Sequence, residues 1–359
     1  MLARLLSLAK RLYFVLRNLR SFLTKEHELH GWPDSWTDLR MLAAGFHSDK
    51  QYLYELGADG RPLPAYVGDF ERLMLRRLNE PYAAFLDHKA LFAQVFGTQF
   101  RVPTDHGLIR RGTFLPFTDD LEVAPTGAAL RDPSLPERLV LKRVGGGGGK
   151  DILLVTRREH DRLEVNGEPS TIDVLVEQLG MRTYVVTDLL TQGAYANNLF
   201  PHAINTVRVV TMRDDEGPFV AFAVQRIGNQ RSRPTDNLNR GGLAALVDLD
   251  SGTLGPARQL EADRRPEAYT HHPDTGAPIA GQVVPHWTAI TALLLEAMEA
   301  FPGLRYVGWD VVVGDDEDQL LVLEGNSYPG VQVAQLHHPL RNDPRTARFF
   351  DAVTTRTAA

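Results

Sequence analysis

Apolar residues recur at helical spacing through the first part of the chain. Leucines and other apolar side chains return every three or four positions, which places them along one face of a helix. Glycines and prolines interrupt this pattern near residue 60. We therefore predict a mainly helical N-terminal region over residues 1–85.

Farther along the chain, short apolar runs separated by turns predict paired β-strands. Three such pairs flank a turn: residues 139–144 with 151–155, residues 205–212 with 218–226, and residues 306–313 with 320–326. Residues 171–179 also predict a strand, one that ends in an acid and an amide. An uninterrupted helical pattern covers residues 287–301. Residues 105–138 and 255–285 are rich in glycine, proline or polar residues. We expect connecting structure in the first range and a surface excursion in the second.

The turn of the first strand pair has a composition suited to holding an anion. It consists of five consecutive glycines, Gly145, Gly146, Gly147, Gly148 and Gly149. Glycines let backbone N–H groups approach an anion closely, and Lys142 and Lys150 add positive charge on both sides. It is not a Walker A loop, because a β-type run follows Lys150 where that motif requires Ser or Thr and a helix. Taken alone, the glycines fit a flexible linker equally well.

The composition is that of an ordinary globular protein, with 43% hydrophobic and 23% charged residues in 359. Since there is no cysteine, disulfides, thiol nucleophiles and cysteine-ligated zinc are excluded. A cysteine-free chain also fits a reducing compartment, and we expect a cytoplasmic protein. The formal net charge is -6, and no basic run with interleaved aromatic residues occurs, so we expect no nucleic-acid partner.

Positive charge is concentrated at the start of the chain. Residues 1–25 carry six basic residues and no acid, so the remainder of the chain carries -12. Leucines at helical spacing make a cationic amphipathic helix here. We favour a helix packed on its own protein, and a helix lying on an anionic membrane surface is the alternative. We expect neither a transmembrane helix nor a signal peptide.

Charged side chains within apolar strands are the strongest candidates for chemistry. Arg208 lies in the strand over 205–212, where it either faces solvent or needs a carboxylate or phosphate partner. Asp310 lies within an apolar strand and Glu324 ends the next one. Glu324 and Asn326 are two positions apart and therefore project to the same side of a strand. Oxygen donors of this kind are the ligands that Mg²⁺ prefers.

In their order along the chain, these segments resemble the motifs of the ATP-grasp superfamily over about residues 86–335. The most similar branch is the sugar-transfer-associated one, which is related to α-L-glutamate ligases. The resembling motifs are Asp87-His88-Lys89 with Val102-Pro103, Leu141-Lys142 with the glycine run, Glu177-Gln178-Leu179, Asn205-Thr206-Val207-Arg208, Arg226, Asp236-Asn237 with Gly241-Gly242, Gly308-Trp309-Asp310, and Glu324-Gly325-Asn326.

The resemblance implies an α+β ATP-grasp fold, in which two α+β subdomains clasp ATP. One subdomain would cover residues 86–190 and carry the glycine run as a lid, and the other would cover residues 191–359 and carry a metal site. The helical region 1–85 would precede them.

The resemblance also implies ATP and Mg²⁺ as cofactors, with Asp310, Glu324 and Asn326 as metal ligands. Arg208 and Arg226 would be catalytic, facing the γ-phosphate and the tetrahedral oxyanion. The nucleotide would be bound by Lys89, Lys142, Gly145, Gly146, Gly147, Gly148, Gly149, Lys150, Glu177, Gln178, Leu179, Asp236 and Asn237. Among these, residues 177–179 would form the hinge at the adenine, and the glycine lid would close over the phosphates.

The implied function is ATP-dependent joining of a carboxylate to an amine through an acyl phosphate. Its substrates would be small molecules, such as an amino acid or an aminosugar- or glycan-related compound. A kinase that uses the same ATP site is one alternative, and a non-catalytic nucleotide-binding partner of a glycan assembly complex is another. Homo-oligomerisation stays open.

Overall fold

The computed structural model describes residues 2–54, 63–144, 152–159, 161–260 and 266–358, except the side chains of residues 2–8, 10, 11 and 355–358. The helices are α1 (Leu2–His30), α2 (Trp36–Ala43), α3 (Lys50–Leu53), α4 (Asp69–Met74), α5 (Ala83–Asp87), α6 (Lys89–Phe96), α7 (Thr126–Ala129), α8 (Ile172–Leu179), α9 (Ala194–Leu199), α10 (Trp287–Ala300), α11 (Gln332–Gln335) and α12 (Pro344–Ala358). No helix in these ranges is long and apolar enough to cross a membrane.

The described strands form two antiparallel sheets. The first sheet has the order β3-β2-β1-β8-β4-β5-β6-β7 and the second has the order β13-β12-β11-β10-β9-β14-β15. The strands are β1 (Asp105–Arg110), β2 (Thr113–Pro116), β3 (Ala124–Pro125), β4 (Arg138–Arg143), β5 (Ile152–Arg157), β6 (Arg162–Val165), β7 (Glu168–Thr171), β8 (Thr183–Asp188), β9 (Val207–Asp214), β10 (Gly217–Ile227), β11 (Leu243–Val247), β12 (Leu254–Gln259), β13 (Ala268–Tyr269), β14 (Tyr306–Val312) and β15 (Leu321–Asn326).

The three predicted strand pairs are confirmed as β4 with β5, β9 with β10, and β14 with β15. The predicted helix over 287–301 is α10, which ends one residue earlier. Because side chains alternate along a strand, Leu139 and Leu141 of β4 pack in the core of the first sheet. Val140 and Lys142 therefore belong to its opposite face.

Residues 105–138 are not the connecting structure that their composition predicts. They supply β1, β2, β3 and α7, which complete one edge of the first sheet. Gly107 is required within β1, because a Cβ atom there would lie 2.4 Å from the Leu115 carbonyl oxygen of the paired strand β2. A glycine that reads as a turn signal thus serves close strand packing. Residues 255–285 likewise contribute β12 and β13 to the second sheet.

The strand prediction for residues 171–179 is wrong, because Ile172–Leu179 forms α8. Thr171 caps this helix by accepting a hydrogen bond from the Val174 N–H at 3.4 Å. Ile172, Leu175 and Leu179 recur at helical spacing and are buried in the core of the first sheet. The β-branched residues favour a strand, but the cap and the period of three to four decide for a helix.

The helical prediction for residues 1–85 is confirmed for the ranges that the structure describes. Asn79 ties this region to the second sheet, because its amide donates to the carbonyl oxygens of Tyr306 and Ser327 at 2.6 and 2.8 Å. Leu86, Phe92 and Phe96, which we grouped with the first subdomain by sequence, also pack in the core of the second sheet. Helices α5 and α6 therefore support the second sheet.

Candidate functional site

A cleft of about 700 Å³ lies between the two sheets. Its volume falls within the range of small-molecule sites, about 300–1,000 Å³. The first sheet contributes residues of β1, β4, β5 and β8, and the second contributes residues of β9, β10, β14 and β15. The predicted site residues that line it are Lys89, Lys142, Arg208, Arg226, Asp236, Asn237, Asp310, Glu324 and Asn326.

Strand register aligns three of these side chains in one row across the second sheet. Asp310 on β14 pairs with Arg208 on β9 and with Glu324 on β15. Gly308 keeps space beside this row, since a Cβ atom there would lie 2.7 Å from Pro329 and 3.3 Å from the Arg208 side chain. The row places an arginine and two carboxylates on the cleft side of adjacent strands.

Asp310 is the centre of an ion-pair network. Its side chain is 2% exposed and accepts from Arg208 Nε, from Arg208 Nη2 at 2.7 Å and from Arg226 Nη1 at 2.9 Å. Burial acts to raise the pKa of Asp310, but Arg208 and Arg226 hold it well below its usual range. The carboxylate therefore stays ionised and fixes both guanidinium groups.

A second buried acid holds Arg226 from the other side. Arg226 Nη2 donates to Asp236 Oδ1 at 2.5 Å. Asp236 Oδ2 accepts from the backbone N–H and the hydroxyl of Thr206 at 2.9 and 2.6 Å. Arg226 is thus clamped between two carboxylates, which limits the conformations of a long side chain.

Two lysines approach the row from other elements. Lys89 is at the start of α6, and its Nζ atom lies 3.3 Å from Glu324 Oε2. Burial lowers the pKa of the Lys142 ammonium, Glu324 acts against this shift, and the nearby Lys89 adds to it. A bound anion beside Lys142 would favour its charged form and act against this shift.

The donors at Asp310, Glu324 and Asn326 fit Mg²⁺ in chemical type. Asn326 Nδ2 donates to the Gly308 carbonyl oxygen at 3.3 Å, which leaves the amide oxygen as an acceptor. Asp310 already accepts three hydrogen bonds, out of about four lone-pair positions on a carboxylate, so a metal would share it with the arginines. Among the described residues, no group of three or more His, Cys, Asp or Glu forms a metal site by itself.

The structure does not bring Glu177, Gln178 and Leu179 to the cleft. They end helix α8, where Glu177 and Gln178 are exposed and Leu179 is buried in the core. The hinge prediction is therefore wrong. Asp188, Leu189 and Leu190, at the end of β8, line the cleft instead. The signal for them in the sequence is the apolar run of β8, Thr183–Asp188, which ends in Asp188.

The predicted lid, Gly145, Gly146, Gly147, Gly148 and Gly149, lies outside the described residues, as does Lys150. Strands β4 and β5 on either side pair in register from Arg138 with Thr156 to Lys142 with Ile152.

Sequence reasoning also missed the contribution of α4, which lies ahead of the motifs that resemble the ATP-grasp superfamily. Asp69 and Arg72 both line the cleft. The Arg72 guanidinium lies 3.9 Å from the centre of the Tyr328 ring and donates to the carbonyl oxygens of Tyr328 and Pro329, both at 3.1 Å. No spacing links residue 72 to residue 328, so only the fold reveals this wall.

Asp105 is another cleft residue that the sequence did not single out. Burial raises its pKa to about 6, although Lys142 acts in the opposite direction. The pKa in the unfolded chain is about 4, so ionising Asp105 destabilises the fold as pH rises through this interval. The destabilisation is absent below the lower value and complete above the higher one.

Asp105→Asn is therefore expected to gain stability relative to the wild type as the pH rises from 4 to 7. Urea denaturation of both proteins at these two pH values measures the change. Asp119→Asn, an exposed acid after β2, is the matched control and should show a constant difference. A stability difference for Asp105→Asn that is equal at both pH values would contradict the prediction.

A family model described as sugar-transfer associated ATP-grasp matches residues 70–345. The chain belongs to this ATP-grasp family. The predicted ATP-grasp fold is thereby confirmed, with a helical region before it. The matched range begins at residue 70 and so includes Arg72, which lies ahead of the motifs on which the sequence resemblance rests.

Solved structures with a similar chain path include three ligases. D-alanyl-alanine synthetase A from Vibrio cholerae is 10% identical, with coverage of 76% of this chain and 66% of that one and a TM-score of 0.45. The D-alanine–D-alanine ligase from Bacillus anthracis in complex with ATP is 11% identical, with coverage of 76% of this chain and 67% of that one and a TM-score of 0.40. The L-amino acid ligase from Bacillus licheniformis is 11% identical, with coverage of 74% of this chain and 44% of that one and a TM-score of 0.37. The chain therefore spans under half the length of that ligase. No curated protein matches the chain.

Proposed function

We propose that this ATP-grasp protein is an ATP-dependent ligase that joins a carboxylate to an amine through an acyl phosphate. The observation that carries the proposal is the Asp310 network, which fixes two arginines beside Glu324 and the two lysines in a cleft of ligand size. Family membership supports ATP as the co-substrate.

The cleft offers different surroundings to the two ends of a nucleotide. Apolar side chains suited to a purine base line the part built mainly by the first sheet: Val140, Ile152, Leu154, Val185, Leu189, Leu190 and Leu323. Lys89 and Lys142 approach the charged row on the second sheet and suit the phosphates. The base would therefore lie towards the end of β8 and the phosphates towards β14 and β15.

The charge of the cleft supports a nucleotide that arrives with a cation. Six basic and seven acidic residues line its described part, so their formal charges sum to -1 and do not offset a polyphosphate. Bound Mg²⁺ would neutralise negative charge on the phosphates during transfer. Glu324 and Asn326 would hold it, with Asp310 shared between the metal and the arginines.

The reaction has two steps in this proposal. A substrate carboxylate oxygen attacks the γ-phosphorus, the bond to the ADP oxygen breaks, and an acyl phosphate forms. The amine nitrogen then attacks the acyl carbon, phosphate leaves with the C–O bond electrons, and the nitrogen loses a proton. Arg208 and Arg226 would stabilise the negative charge on the transferred group and on the tetrahedral oxyanion. Asp310 and Asp236 keep them in place in advance.

We expect ADP and phosphate to be released only when a suitable carboxylate and amine are both present with Mg-ATP. A screen of paired amino acids, aminosugars and other small acids and amines measures ADP release, and mass spectrometry identifies the product. An amide product with a loss of one water relative to the two substrates is the expected result.

The same screen separates the alternatives. If the product is a stable compound phosphorylated on a hydroxyl group, the protein is a kinase and not a ligase. Binding of Mg-ATP without ADP release for any pair would favour a non-catalytic nucleotide-binding protein. A lack of ATP binding, measured by calorimetry, would reject the ATP site itself.

A further inference from the structure

Helix α1 buries Asn18, Phe22 and Glu26 but leaves several leucines exposed. Asn18 and Glu26 are buried to 0% and 2% exposure, whereas Leu12, Leu16, Leu19 and Leu23 are 60%, 54%, 41% and 44% exposed. These four leucines, spaced by four, three and four residues, lie along one side of the helix and are called the leucine stripe below. The leucine stripe is therefore exposed on the surface of the protein.

The inner side of α1 is firmly attached to the protein. The Phe22 ring stacks on the His47 ring with their centres 4.7 Å apart. Glu26 Oε2 accepts from the Ser48 N–H at 3.1 Å, and Asn18 Nδ2 donates to the Leu73 carbonyl oxygen at 3.4 Å. These contacts determine which side faces the protein, so rotating the helix to bury the leucine stripe would break them.

The exposed charged residues between Leu12 and Leu23 are Arg17 and Arg20, whereas the exposed acid Glu28 comes later in α1. Arg17, Arg20 and Lys25 are exposed, and within the described ranges none of them forms an ion pair. Residues 1–25 contain no acid, while the remainder of the chain carries -12. An anionic surface would attract this end of the molecule and repel the rest, which orients α1 towards it.

Exposed aromatic residues lie on α1 and in the segment that follows it. Tyr13, Trp32 and Trp36 are 67%, 77% and 87% exposed. Tryptophan and tyrosine prefer the boundary between lipid headgroups and acyl chains. Leucines, cations and aromatic rings together form the composition of a helix that lies in a membrane interface.

We propose that α1 docks the protein on anionic phospholipid membranes, with the leucine stripe inserted among the acyl chains and Arg17 and Arg20 against the headgroups. This replaces the sequence preference for a helix whose apolar side packs on its own protein. A second copy of the chain is a poorer occupant, because a symmetric pairing of two such helices would bring like charges together. The proposal is independent of the ligase activity.

Flotation of the full-length protein with vesicles tests the proposal. We expect binding to vesicles of phosphatidylcholine with phosphatidylglycerol, and at least about tenfold weaker binding to phosphatidylcholine alone or at high salt. Leu16→Gln/Leu23→Gln and Arg17→Gln/Arg20→Gln should each weaken binding to anionic vesicles at least about tenfold. Val174→Gln/Met181→Gln, which changes exposed apolar residues near α8, should bind as the wild type does.

The absence of cysteine allows a site-specific control. A polarity-sensitive fluorophore on Leu19→Cys should shift its emission to shorter wavelength on anionic vesicles, whereas the same dye on Val174→Cys should not. Equal binding of the wild type and Leu16→Gln/Leu23→Gln to anionic vesicles would overturn the proposal. A second result would also overturn it: no form of the protein floats with vesicles, and the leucine-stripe variants convert a dimer into a monomer. Self-association would then explain the exposed leucines.

Discussion

Glu324→Gln is expected to lower ATP consumption at least about a hundredfold while leaving the free energy of unfolding almost unchanged. Glutamine keeps the size of the side chain but loses the charge that Lys89 and a bound cation would share. The Lys89–Glu324 pair is partly exposed, with side chains 23% and 34% accessible, so its loss should cost only about 0–1 kcal/mol. ADP release with the substrates from the screen measures the activity, and urea denaturation measures the stability.

A binding measurement makes this test independent of the substrates. Calorimetry with ATP should show that Mg²⁺ strengthens binding to the wild type much more than to Glu324→Gln. Glu317→Gln, an exposed acid in the turn of the same hairpin, is the matched control and should behave as the wild type. Identical Mg²⁺ dependence in Glu324→Gln and the wild type would remove Glu324 from the metal site.

Asp310→Asn is expected to lose activity and, unlike Glu324→Gln, to lose stability by about 3–5 kcal/mol. The substitution leaves Arg208 and Arg226, only 14% and 15% exposed, without the carboxylate that pairs with both. Urea denaturation at neutral pH measures the loss, with Asp250→Asn in an exposed turn as the control. A stability change no larger than that of Asp250→Asn would show that the network does not stabilise the fold.

The effect of Asp310→Asn should also depend on pH. Because the folded protein lowers the pKa of Asp310, its stabilising contribution is complete above the unfolded value of about 3.9 and is lost as the pH falls below it. The stability difference between wild type and variant should therefore shrink between pH 6 and pH 3. If the stability difference between wild type and variant stays constant over this pH range, the loss of stability comes from packing and not from the charge of Asp310.

The second sheet and its charged row were predictable because each signal is local. Strands β14 and β15 are continuous apolar runs around a short acidic turn, so both the pairing and the approach of Asp310 to Glu324 follow from the sequence. Alternation on β9 likewise separates Arg208 from Val207 and Val209, which pack in the core. The sequence did not decide whether Arg208 faces solvent, a carboxylate or a phosphate. Only the register of β9 on β14 shows that its partner is the carboxylate of Asp310.

The errors arose where a local signal has two meanings. In residues 171–179, β-branched residues suggest a strand, while the Thr171 cap and the buried positions support a helix. Gly107 reads as a loop residue until the neighbouring strand β2 is seen against it. The contact between Arg72 and Tyr328 joins residues 256 positions apart, and no periodicity in the chain encodes such a contact.

The packing of α1 on α4 has a thermodynamic consequence. The amide of Asn18 on α1 donates to Leu73 within α4, and α4 carries Asp69 and Arg72 into the wall of the cleft. The proposed docking of α1 and the proposed nucleotide binding in the cleft would thus act on one shared helix. Linkage is reciprocal: whatever factor anionic vesicles impose on nucleotide affinity, the nucleotide must impose on vesicle affinity. Measuring either factor gives the coupling free energy between helix α1 and the cleft.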